Sequence, residues 1–560
     1  MKIYNWRPFL ERWSADWADS PGARGRDGVD EEILRARWLG FEPVSEERIT
    51  ALEERLGTRL PPTYRSFLAT TDGWRPSGTA VYLLGTAEGV HWHRGKEMRE
   101  LYESDLTENS PEEDILRAGM WDRALQLSLD SDMTDVLLDP GDVNADGEWA
   151  VYVYRGWSGE FPARYESFMD VMQYLFRNFH QSVEDGGTAV NETARELDAA
   201  VEEARLACLA GADVDEQLEL LTDAAAHGRG AAAALERQVR TMLGEGRESG
   251  PEYEAPGAFG RAVTAAREQA RWGETEAAWQ TVAAAVPDWE PGGAGEIAPV
   301  RLLSDPVLGP VITPERGRYI LETPRAGYGS GEDRPAAVAP GTAATSAVDG
   351  LDWLAGSDQF GRGYRFVCVH GISPQELAGR IGRGPLLPPC DERDIQRIRF
   401  SGDSTRVARV GAGGGGWSFA FETMVGAYQP GRVEGPADEA SMGTRSVVVW
   451  AERGDASGAF HFSYARDGRR VHGFAVHGGK TERWGPLPDT LDPGVLLPGA
   501  GAPELDVDDE FEALAAIADE FGLSLPSFAI QHGRLHAVES RDWIRPPGPG
   551  EAYATFGWTG

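Results

Sequence analysis

Asp142, Asn144, Asp146 and Gly147 repeat the oxygen-donor spacing with which the first half of a calcium loop surrounds a hard cation. The twelfth position, which would need a bidentate glutamate, is Val153, and strand-like sequence flanks the loop. These residues are therefore expected to close a hairpin through an Asn-Ala-Asp-Gly turn. Gly411, Gly413 and Gly416 spell G-x-G-x-x-G. That spacing cradles a phosphate only when a helix N-terminus comes next and aims its amides at the anion. Here WSFAFE comes next, which reads as a strand, so a connection between strands is expected. His91 with His93, and His461 with His472 diagonally across a predicted hairpin, each offer two nitrogens without a third ligand, too few for a catalytic metal centre. Cys368 sits in an apolar run and reads as a small core residue. No G-x-S-x-G, H-E-x-x-H or Walker A pattern occurs. The expectation is a protein that is not an enzyme, with no catalytic residues, no metal and no cofactor.

Residue types suited to contact are easier to find. Trp74 and Trp157 flank turns, and Asp130, Asp132 and Asp135 cluster before a Leu-Leu-Asp run. Exposed tryptophan beside acidic charge makes an anchor with electrostatic steering, so these five residues are the expected partner-binding site. The blander alternative places both tryptophans in the core and the aspartates in a solvated loop.

Charge narrows the partner. Ninety acidic against fifty-four basic residues give the 560-residue chain a formal charge of −36, a field that repels a phosphate backbone. Nucleic acid is not expected as a partner; the acidity serves solubility, or more sharply attracts a basic protein. Nowhere do eighteen uninterrupted apolar residues occur, and the N-terminus lacks an apolar export segment, so no membrane association is expected. Three widely spaced cysteines, Cys208, Cys368 and Cys390, fit a reducing cytoplasm better than a disulfide framework.

The elements that must position these residues can be read from periodicity. A chain this long needs several cores. Composition suggests an aromatic N-terminal segment at 1–43, an α+β domain at 44–186, helical hairpins with a Pro-containing extension at 190–326, a linker at 327–350 and a C-terminal α+β domain at 351–560. Ser45 can cap a helix carrying Ile49, Leu52 and Leu56, and Gly57 can stop it. Pro61 and Pro62 begin a second helix. Strand-like runs AVYLLG, LQLSL, DVLLD and WAVYVYRG precede a closing helix with Phe168, Val171, Met172, Leu175 and Phe179 on its buried side. AVEEARLACLAG and AVTAAREQARWG are similar to each other and read as two helical hairpins reminiscent of tetratricopeptide repeats. Asp467-Gly468 suits a type I′ turn, with Tyr464 expected opposite Val471 and Phe462 opposite Gly473.

The passage I-x-x-L-E-x-x-L-G-x-x-L-P-x-x-Y-R-x-F-L from Ile49 to Leu68, then Asp72-Gly73-Trp74, Leu138-Asp139-Pro140, the Trp149 to Tyr154 strand and the aromatic closing helix, resembles the SUKH superfamily, which includes the yeast Knr/Smi cell-wall regulators. The resemblance covers about a quarter of the chain. It implies a mixed sheet flanked by helices that serves as a protein-binding scaffold, and in bacteria an immunity protein that neutralises a polymorphic toxin. It supplies no catalytic residues. The C-terminal region resembles an actinobacterial domain of unknown function found beside toxin and immunity genes. The expected function is a non-enzymatic protein-binding protein, an immunity protein against a basic toxin domain; a regulatory scaffold of the Smi/Knr kind, or an enzyme of unrecognised type in the C-terminal domain, are the alternatives.

Overall fold

The computed structural model describes residues 4–544 except 21–30, 76–79, 105, 108, 186–190, 329–349, 356, 361–362, 401–405, 424–427, 430–432, 434–436, 454–457 and 499–505. Most of the expected linker at 327–350 thus lies outside the described residues, as does the end of the expected C-terminal domain. The chain is of the α+β class and divides into two compact units: residues 1–207 with 215–237, and residues 208–214 with 238–560. The division runs through the helical segment at 190–326.

In the first unit, Trp6, Leu10 and Trp13 recur at helical spacing on α1 (Trp6–Asp19) and are fully buried. A short α2 (Glu31–Ala36) precedes α3 (Glu46–Leu56), which Ser45 caps by accepting from the Arg48 amide at 3.4 Å and which ends on Gly57 at φ +74°. Helix α4 (Pro62–Leu68) starts on its proline, where no helical amide is lost. Then come β1 (Val81–Leu84), β2 (His91–Trp92), α5 (Lys96–Ser104), α6 (Glu112–Arg123), β3 (Leu125–Gln126), β4 (Ser128–Ser131), β5 (Thr134–Val143), β6 (Trp149–Arg155), β7 (Ala163–Tyr165) and α7 (Phe168–Asp185). Five strands form a sheet in the order β2-β3-β5-β6-β7, and β1 pairs with β4 separately. All of these pairs are antiparallel, where the resemblance implied a mixed sheet. The chemistry of the links explains the difference, since β5 to β6 and β6 to β7 are joined by short turns that cannot make a parallel crossover.

The core of this unit is aromatic. Phe168 lies 4.9 Å from Tyr64 and 5.0 Å from Phe67, ring centre to ring centre, and Trp6 lies 5.4 Å from Phe67. Such tilted and edge contacts add to the area each ring removes from water. The aromatic N-terminal segment, expected from composition to stand apart from the α+β domain, therefore shares one core with α3, α4, the sheet and α7. Buried Asp16 on α1 accepts a hydrogen bond from the Thr193 hydroxyl and lies 3.4 Å from His180 Nε2, tying α1 to α7 and to α8 (Glu192–Leu209). Helices α9 (Val214–Ala226) and α10 (Gly230–Met242) come next.

In the second unit a helical hairpin, α11 (Gly257–Arg271) and α12 (Thr275–Ala285), is followed by α13 (Pro314–Glu322). The two similar sequence repeats thus fall mainly in different units. The C-terminal part supplies β8 (Gly363–His370), α14 (Pro374–Ile381), β9 (Leu387–Cys390), α15 (Glu392–Phe400), β10 (Val407–Ala412), β11 (Trp417–Thr423), β12 (Arg445–Glu452), β13 (Ala459–Arg466), β14 (Arg469–His477), β15 (Lys480–Trp484), α16 (Val507–Phe521), α17 (Ser527–His532) and β16 (Leu535–Glu539). Nine strands make one antiparallel sheet in the order β15-β14-β13-β12-β8-β11-β10-β16-β9. Period-two alternation sends Tyr364, Phe366 and Cys368 of β8 to a core shared with Leu514 and Ile517 of α16, and Val367 and Val369 to a core shared with Leu377 and Ile381 of α14. The G-x-G-x-x-G run joins β10 to β11, as the strand after it implied.

The predicted β13–β14 turn has Asp467 at φ +50° and Gly468 at φ +75°. Its register differs from the expectation: Tyr464 faces His472 and Phe462 faces Phe474, because a bulge after the Ala465–Arg470 pair leaves Val471 as an extra residue. One added residue moves every later side chain to the other face. His472 accordingly stacks on Tyr464 in the α16-side core, whereas His461 contacts Tyr428 on the opposite side, and the two do not converge.

Candidate functional site

Three segments of the first unit bring side chains suited to contact onto one edge. The β4–β5 hairpin carries Asp130 and Asp132, both exposed, whose carboxylates make no hydrogen bond or ion pair among the described residues. Between them and β5, Met133 is held at φ +47°, a left-handed conformation in which a non-glycine side chain is strained, and 63% of it is exposed. The Met133 carbonyl accepts from the Gly156 amide at 2.9 Å, which places the hairpin tip beside the β6–β7 turn. That turn carries Trp157, 61% exposed, and Phe161, 71% exposed. Phe161 lies edge-on to Tyr102 of α5 at 5.8 Å and beneath the Arg117 guanidinium of α6 at 5.5 Å. Monomer surfaces do expose single apolar residues, but three large ones near two carboxylates without a partner among the described residues make this edge the candidate for contact.

Of the sequence-derived candidates, Asp130, Asp132 and Trp157 come together here. Asp135 does not join them: its carboxylate accepts from Gln126 Nε2 at 2.9 Å, and Gln126 Oε1 in turn meets His93 Nδ1 at 2.6 Å. Trp74 is a correction. It is fully buried, packed 5.7 Å from Trp13 and 5.4 Å from Trp38, so its apolar area is spent in the core and no partner can reach it. Met133 and Phe161 went unnoticed in the sequence. The signal for Phe161 was an aromatic residue in the Gly- and Pro-bounded stretch Gly159–Pro162; nothing marked Met133.

The calcium-like run is a turn in which the Asp142 and Asn144 oxygens are already engaged. Asp142 accepts from Arg164 Nε and Nη2 at 2.7 and 2.8 Å and from the Tyr152 hydroxyl at 2.7 Å. Burial opposes ionisation of Asp142, but the Arg164 and Tyr152 hydrogen bonds overcome it and hold its carboxyl below the usual range. Asn144 Oδ1 accepts from the Asp146 and Glu148 amides, and Gly147 sits at φ +80°. Cys368 is fully buried, and burial pushes its thiol up, away from reactivity. Among the described residues no helix is long and apolar enough to cross a membrane.

A capped helix, a second helix begun on proline, a β-meander and an aromatic closing helix make up an α+β domain. Residues 43–174 match the SMI1 / KNR4 family (SUKH-1), the segment in which the resemblance was read. No curated protein and no solved structure matches the chain.

Proposed function

We propose that the chain is a non-enzymatic protein-binding protein, most sharply an immunity protein that covers a basic bacterial toxin domain with the β4–β5 and β6–β7 edge of its SUKH-type unit. The observation that carries this reading is the pair of carboxylates, Asp130 and Asp132, that have no partner among the described residues and lie beside exposed Met133, Trp157 and Phe161. Apolar anchors supply affinity once desolvated, and the acidic surroundings steer a cationic partner and speed its encounter. The charge of −36 extends that steering over the whole chain. A SUKH-type domain is consistent with either an immunity protein or a Smi1/Knr4-type protein.

The test is co-expression of the full chain with the toxin domains encoded beside its gene, reading growth and complex formation. Rescue by the natural chain that is lost in Asp130→Lys/Asp132→Lys supports the reading. Absence of both binding and rescue against every neighbouring toxin overturns it. Binding that survives the double charge reversal but needs residues 190–326 would favour the scaffold alternative.

A further inference from the structure

A second site stands in the other unit and does not rest on the binding reading above. A cavity of about 730 Å³ opens there between the 247–249 and 303–310 segments on one side and α15, α17 and Arg534 on the other. Its volume is that of a site for a small organic molecule rather than for a single ion. The charges that line it are unequal in one respect. Each carboxylate with a strong position is already matched: Asp305 by Arg267 at 2.7 Å, Glu392 by Arg409 at 3.0 Å, and Asp391 by Arg534 at 3.5 Å. Asp305 also accepts from the Tyr253, Val307 and Leu308 amides, so its acceptor capacity is filled.

The arginines are not so balanced. Arg247 Nε and Nη2 are shielded from solvent and have no hydrogen-bond partner among the described residues. Burial alone pulls this guanidinium below its usual value, with no carboxylate offsetting it. Arg393, exposed at the rim, has no ion pair among the described residues either. A shielded donor left without an acceptor is costly, so each such group in a native protein calls for an explanation, a bound ion or ligand among them. Beside them, half-buried Phe528 and exposed His532, both on α17 with ring centres 5.3 Å apart, form an aromatic wall of the same cavity.

We propose that this cavity binds a small organic anion carrying a planar ring, its carboxylate or phosphoryl oxygens on Arg247 and Arg393 and its ring against Phe528 and His532. The planar guanidinium fork suits either oxyanion, because both can accept two parallel N–H bonds. The rest of the lining mixes polar Ser249, Ser304 and Gln359 with apolar Leu303, Pro306 and Pro310, and the volume fits a ligand the size of a mononucleotide or an aromatic acid.

The test is calorimetric titration of the full chain with four probes: inorganic phosphate, benzoate, adenosine monophosphate and adenosine. Adenosine monophosphate or benzoate is expected to bind with a dissociation constant of about 1 mM or tighter, and adenosine at least roughly tenfold more weakly, the equivalent of one charge-assisted hydrogen bond. Tighter binding of the monophosphate assigns a phosphoryl group, and tighter binding of benzoate a carboxylate; phosphate alone reports the oxyanion without the ring. Arg247→Met should weaken the binding probe roughly tenfold to a hundredfold. The same substitution should leave the unliganded melting temperature unchanged or raised, since it removes an unsatisfied shielded cation. Arg393→Ala, at the exposed rim, provides a second variant that does not disturb packing. The proposal is overturned if none of the four probes binds the natural chain, or if Arg247→Met and Arg393→Ala both bind as the natural chain does.

Discussion

At the scale of single residues, burial separates two tryptophans that look alike in the sequence. Trp157 is an exposed side chain on a turn, so Trp157→Ala should change stability by no more than about 0.5 kcal/mol while weakening partner binding roughly tenfold or more. Trp74→Ala should do the reverse: it opens a cavity beside Trp13 and Trp38 at a cost of about 3–5 kcal/mol, with binding by the folded fraction unchanged. Chemical denaturation and affinity measured on both variants check this, and equal losses of stability would contradict the placement. Met133 gives a finer separation. Met133→Gly relieves a left-handed backbone and should be neutral to about 1 kcal/mol stabilising, yet it deletes an apolar anchor and should weaken the same partner. The sequence could rank neither tryptophan, because both sit next to glycine-containing turns and only the packing of α1 decides which one is covered.

At the scale of elements, local chemistry was legible and partnership was not. Ser45, Gly57 and Pro62 mark helix ends by their own backbone requirements, and the structure places caps and stops on those residues. Asp467-Gly468 likewise dictates its turn, but the bulge at Val471 depends on how β14 meets its neighbours and shifts the pairing by one residue. The stripe Trp6, Leu10 and Trp13 shows that α1 is amphipathic without showing what it packs against. Its partners, Phe67, Trp74, Phe168 and Phe176, lie about sixty or about one hundred and sixty residues away in the chain. Removal of residues 1–20 should therefore uncover this aromatic core. The truncated chain is expected to melt well below the full one and to bind a hydrophobic dye; an unchanged melting temperature would show that α1 is not part of the core. A short version of the SUKH-type segment cut at the family match, 43–174, would meet the same difficulty and also lose part of α7.

At the scale of the whole molecule, two compact units should unfold as two cooperative transitions, since cooperativity tracks the contiguous core rather than the length of the chain. Acid provides the means to tell them apart. His461 lies fully buried in the second unit, its Nδ1 against the Tyr428 hydroxyl at 3.1 Å, and burial, with Arg470 nearby, pushes its pKa from 6.5 down to about 3. The folded unit therefore takes up no proton there until pH about 3, while the unfolded chain takes one up near pH 6.5. Stability is whole above pH 6.5 and falls between those values by up to about 1.4 kcal/mol per pH unit. His472 in the same unit and His227 in the first are also held below the usual histidine value, mainly by burial, and act in the same direction. Calorimetry of the natural chain from pH 7 to pH 5 should thus lower both transitions, and His461→Gln should flatten the pH dependence of one of them only. That transition belongs to the nine-stranded sheet, and the anion proposed for the Arg247 cavity should raise it and leave the other in place. If a single transition carried both responses, the two units would be one cooperative body, and a ligand in one would stabilise the candidate contact edge of the other.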